Sequence, residues 1–177
     1  MRLPSHQHRS DVTSLSILIV AGGAFGYVEA AVVYYLRALM NFHENYSLTH
    51  YKTLLNLGFV TFISPQHPLL ISARITNVEK FREFATIVLL VAVAYVAGKN
   101  PSQRVGAFLV SFASWDIMYY VFLKIIADWP SSLMTKDVFF LLPVPWIGPV
   151  ITPLIIATAM LVFGARLFLR SSTSSWK

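Results

Sequence analysis

Three carboxylates, Glu29, Glu83 and Asp116, stand in otherwise apolar stretches, each near a base: Arg37, Arg82 or Lys124. An ionised side chain at the centre of a bilayer costs roughly 2.5–3.5 kcal/mol even on the lenient insertion scale. Groups so placed either knit helices together as buried pairs or handle protons, metals or polar ligands. Two phrases repeat the pattern. EAAVVYYLR runs from Glu29 to Arg37 and DIMYYVFLK from Asp116 to Lys124, each with an acid eight residues before a base and a Tyr-Tyr pair between them. Eight residues is a little over two turns, so acid and base share a helical face about 12 Å apart along the axis. NVEKFREFAT places Glu79, Arg82 and Glu83 on neighbouring faces of another helix.

The expected convergence is one polar cluster of Glu29, Glu83, Asp116, Arg37, Arg82 and Lys124. The hydroxyls of Tyr120 and of Tyr34, Tyr35 and Tyr119 would complete its network. Asp116 is expected inside the bundle, bonded directly or through one water to a Tyr, Arg or Glu of a neighbouring helix, because a buried carboxylate without a partner takes up a proton. In chemical terms Glu29 and Asp116 would be base, proton relay or metal ligand, and the three bases would attract an anionic group. His43 and His50, seven apart in NFHENYSLTHY, are weaker metal candidates, since imidazole and carboxylate suit Zn, Fe or Mn. No HExxH, Gly-rich phosphate loop or GxSxG occurs. There is no cysteine for a thiolate or Cys-metal site, and the sequence names no cofactor.

The elements that must position these groups are membrane helices. The chain has 177 residues, 56% hydrophobic and 12% charged, with a mean hydropathy of +0.62, which points to a multi-pass membrane protein of one domain. The formal charge of +6 is spread singly along span edges, not in a basic run with interleaved aromatics, so a nucleic-acid partner is excluded. A crossing needs about 20 apolar residues. Four segments qualify: 15–40, with Ser14 as cap and read as a retained first span, then 82–98, 105–126 and 149–169. Outer loops would be 41–81 and 127–148. Within them, 54–72 reads as an interfacial element, with a fifth crossing as the alternative. DVFFLLPVPWIGP reads as a short helix plus an extended, interface-lying or re-entrant turn, broken by Pro143, Pro145 and Pro149. The expected fold is therefore an all-α bundle of about four transmembrane helices with a proline-broken segment before the last.

Four spans put both termini on one side, with Arg2, Arg9, Lys99, Arg104, Arg166, Arg170 and Lys177 in short segments there. The positive-inside rule makes that side cytoplasmic. Lys52, Arg74, Lys80, Arg82 and Lys136 oppose it, mostly from a long loop that counts less. In the first span Gly22, Gly26 and Ala30 form a small-residue ridge beside Glu29, of the kind that lets membrane helices approach closely.

The phrases YVEAAVVYYLRAL, REFATIVLL, WDIMYYVFLK and DVFFLLPVPWIGPVITP together resemble a family of small bacterial multi-pass inner-membrane proteins. The resemblance implies a bacterial inner-membrane location and brings no catalytic residues with it. The leading functional expectation is an accessory or scaffolding subunit of a larger membrane complex, with the bilayer and other membrane proteins as partners. The alternative is a membrane-embedded enzyme or a solute- or ion-handling protein that uses the acid–base cluster. A dry, fully paired cluster is the mark of the first, and a cavity reaching Glu29 and Asp116 is the mark of the second.

Overall fold

The computed structural model describes residues 5–39, 51–66, 70 and 72–170. Among them four helices and four strands follow in the order α1 (Ser5–Leu39), β1 (Tyr51–Asn56), β2 (Thr61–Pro65), α2 (Ala73–Ala97), α3 (Pro101–Ala127), β3 (Lys136–Phe140), β4 (Trp146–Pro149) and α4 (Ile151–Arg170). Three stretches, Ser10–Leu39, Pro101–Ala127 and Ile151–Arg170, are long and apolar enough to cross a membrane. The chain is mostly helical, but the all-α expectation is too narrow, because the strands form one antiparallel sheet in the order β1-β2-β4-β3.

Helix boundaries follow side-chain chemistry. Ser14 does not cap α1, which begins at Ser5. The hydroxyls of Ser14 and Ser16 donate back to the carbonyls of Ser10 and Val12, each at 3.0 Å, and so are satisfied within the helix. α2 opens a full nine residues before position 82, capped by Ser72, whose hydroxyl accepts from the Ile75 amide at 3.2 Å. The polar turn KNPSQR supplies the start of α3: Asn100 accepts from the Gln103 amide at 2.9 Å, and Pro101 occupies the first helical position, where no amide is needed.

α3 is the hub, packed against all three other helices. It runs parallel to α1. A Cβ added to Gly22 would lie 2.7 Å from the Ser111 carbonyl oxygen, and one on Gly26 would lie 2.7 Å from that of Trp115, so the ridge brings the two backbones together. α4 returns antiparallel, with Gly106 and Gly164 at the crossing. Leu18, Ala94, Ala107, Val110 and Phe168 close the half of the bundle nearest the α2–α3 turn. At that end the buried carboxylate of Asp11 pairs with Lys99 at 2.8 Å.

The sheet sits at the other end, where α1 and α3 finish. The segment 51–65 is a β-hairpin, so the fifth crossing does not form there. Its turn needs Gly58, which holds φ at +84°, and the Gly58 amide donates to the Asn56 side chain at 2.8 Å. The proline-broken segment is also a hairpin and contains no short helix. Pro143 and Pro145 fall between its strands, where a missing N–H does no harm. β3 descends alongside α3, with Asp137 against Tyr120 and Phe140 stacked 6.2 Å from Phe112, halfway down that helix. The segment expected to be an interface-lying or re-entrant turn is thus built of strands. Its backbone finds protein partners: the Ile63 amide donates to the Pro145 carbonyl at 3.0 Å, and the Leu141 amide to Glu83.

Candidate functional site

A partly open cavity of about 90 Å³ lies between α1, α2, α3 and β3. That is room for several waters, since one needs on the order of 10–15 Å³. Among the described residues it gathers Glu29, Glu79, Glu83, Asp116 and Asp137, five of the chain's eight Asp and Glu side chains, against two guanidinium groups, Arg37 and Arg82. Trp115, Tyr119 and Tyr120 supply its aromatic wall.

Helical spacing positions each group. On α2, Glu79 and Arg82 are one turn apart, and the Arg82 Nε donates to Glu79 Oε1 at 2.7 Å. The same guanidinium reaches across to Glu29 of α1, so Arg82 bridges two carboxylates on two helices. Glu83, on the next face, accepts the Leu141 amide with both oxygens, at 2.9 and 3.1 Å, and ties α2 to the end of β3. Arg37 lies 3.7 Å over the Trp129 ring and 3.8 Å from Asp137. Tyr120 donates to the other oxygen of Asp137 at 3.0 Å.

Asp116 is different. It lines the cavity, yet no side chain or amide among the described residues hydrogen-bonds its carboxylate, and its electrostatic neighbours are the carboxylates of Asp137 and Glu29. The expected direct partner is missing because Arg82 is held by Glu29 and Glu79, while Tyr120 is held by Asp137. Two buried donors beside the cavity, Arg37 Nε and Trp115 Nε1, are likewise without a protein partner among the described residues.

Of the expected cluster, the structure brings together Glu29, Glu83, Asp116, Arg37, Arg82 and Tyr120 but not Lys124. That ammonium pairs with exposed Asp128 at 2.6 Å and donates to the carbonyls of Asp128 and Pro130. Its flexible stem prefers the nearby helix end, where carbonyls lack amide partners. Nor is Arg82 free to hold an anion, since it is claimed by two carboxylates. His43 and His50 lie outside the described residues. Among those described, no group of three or more His, Asp or Glu side chains is disposed to hold a metal ion.

Asp137 is the member sequence reasoning missed. It stands in a segment read as outer loop, and its only signal is an acid immediately before the apolar run VFFLL. Burial pushes its carboxyl from the usual 3.8 up to about 6, against the pull of the Arg37 guanidinium, the Tyr120 hydroxyl and the Val138 amide. Between those two values the folded protein holds a proton on Asp137 that the unfolded chain has released, so the contribution of Asp137 to stability should fall as pH rises from about 4 to about 6 and stay constant above. The shift corresponds to a loss on the order of 3 kcal/mol. Thermal denaturation in detergent across that range should show a shallower decline in Asp137→Asn than in the parent chain.

A scan against protein-family models, a search of curated proteins and a search of solved structures each find no match for this chain.

Proposed function

We propose that the protein is a four-span integral membrane protein that takes up a small cation, in the simplest case a proton, into the acid-rich cavity. The observation that carries this reading is Asp116, a carboxylate with no hydrogen bond among the described residues, in a cavity where five carboxyl groups face two guanidinium groups. In a site of low dielectric so many carboxylates cannot all stay ionised, and the balance favours binding positive charge. Asp116 is the group that exchanges the proton. Glu29, Glu79 and Arg82 form the fixed wall, and waters bonded to Trp115 and Arg37 would connect the cavity to the solvent. The inner half is closed by apolar packing, which suits a site served from one side rather than an open pore.

The fourth span in this reading is α2. Its charged residues sit in the half next to the cavity, while Phe81, Phe84, Val88, Val91 and Val96 point outward along about 22 Å of helix, where lipid is the compatible surrounding. Both termini then lie on the cytoplasmic side of a bacterial inner membrane, and the sheet end faces outward.

The test is infrared difference spectroscopy on reconstituted protein between about pH 8 and about pH 5, where protonated carboxyls give a separate carbonyl band. Asp116→Asn should remove a component of that band with little loss of stability, since among the described residues no hydrogen-bond partner of Asp116 would be orphaned. An unchanged spectrum would sink the proposal. The subunit reading has its own support in the Glu79–Arg82–Glu29 chain, a paired clamp between helices. Copurification of a partner in mild detergent, lost on Arg82→Met and kept in Asp116→Asn, would favour it.

A further inference from the structure

We infer that the tip of the β1–β2 hairpin is seated among the acyl chains of the leaflet at the sheet end of the bundle, as an extension of the lipid-facing surface of α4. The tip is apolar and turned outward, with Leu57 and Phe59 about half exposed. A residue pattern of this kind is unfavourable in water but suits a membrane interface. Its height is set by a bond: the Thr152 hydroxyl in the first turn of α4 donates to the Phe59 carbonyl at 3.2 Å. α4 is one of the helices long and apolar enough to cross a membrane, so a segment fixed beside its first turn lies where that crossing begins.

An apolar groove runs between Phe59 and Met134 on one side and Ile155 and Ile156 on the other. The surface is continuous with the exposed apolar face of α4 below it, so the occupant consistent with both is a lipid acyl chain. A second hollow along the hairpin is edged by Thr53, Asn56 and Lys136, polar groups that suit water. The hairpin therefore lies with one side wet and its tip in lipid. This inference does not depend on what the cavity binds.

The 177-residue chain contains no cysteine, so single labels can be placed in it without altering anything else. Leu57→Cys and Met134→Cys would carry a nitroxide in phosphatidylcholine vesicles, with Thr53→Cys for comparison. At Leu57 and Met134, collisions with oxygen should outweigh collisions with a water-soluble nickel chelate, and at Thr53 the order should reverse. Dominant nickel collisions at Leu57 would place the tip in water. Protection of Leu57 from both reagents would mean that a second copy or another protein covers it. Either result overturns the inference.

Discussion

Replacing Arg82 with methionine is expected to destabilise the folded protein by about 3–5 kcal/mol, the usual cost of removing one partner from a buried ion pair. The substitution leaves Glu29 and Glu79 as two buried carboxylates with no cation between them. Their repulsion is relieved by protons, so the loss should shrink as pH falls. Glu29→Gln combined with Arg82→Met should recover part of the loss, because the double variant removes one of the two stranded charges. Denaturation of the purified protein in mixed micelles measures all of this. A loss below about 1 kcal/mol would mean that the bridge is solvated like a surface pair.

Gly26→Val should be nearly as damaging, for a steric reason. The new Cβ would fall 2.7 Å from the Trp115 carbonyl oxygen and 2.9 Å from the Tyr119 amide nitrogen, both backbone atoms that cannot swing aside. α1 and α3 must then separate, which costs at least the 1–3 kcal/mol typical of overpacking and also moves Glu29 relative to Asp116. Gly23→Ala is the natural comparison, since its Cβ would meet only the Met118 side chain, with Cγ at 3.3 Å. That variant should stay within about 1 kcal/mol of the parent. If the two variants melt alike, the close helix approach is not what holds α1 in place.

These predictions rest on features of unequal legibility. Glu29, Glu83, Arg82 and Asp116 were readable because a charge in an apolar helix must face other protein, and helical spacing says which charges can share a face. Gly22 and Gly26 were readable for the same kind of reason. Lys124 was misplaced by the analogy with Arg37. Equal spacing along two helices fixes a face but not a reach, and Lys124 stands four residues from Asp128, close enough to fold onto its own helix end. The strands were hidden by their shortness. A five-residue apolar run such as VFFLL has too few positions to separate strand from helix, and β2 pairs with β4 across more than 80 positions of sequence, which no local pattern reports. Asp137 was lost with the strand that carries it.

The account turns on an accessible cavity that prefers positive charge, and one labelling comparison addresses it directly. Val33 lines the cavity from α1, and Val33→Cys would be the only thiol in the chain. In sealed vesicles, reagent is added from the sheet side of the bundle. A cationic aminoethyl methanethiosulfonate should modify that thiol at least about tenfold faster than an anionic sulfonatoethyl one, a ratio equivalent to about 1.4 kcal/mol of electrostatic preference. Adding Asp116→Asn should narrow the difference. Equal rates with the two reagents, or no modification by either, would contradict the account.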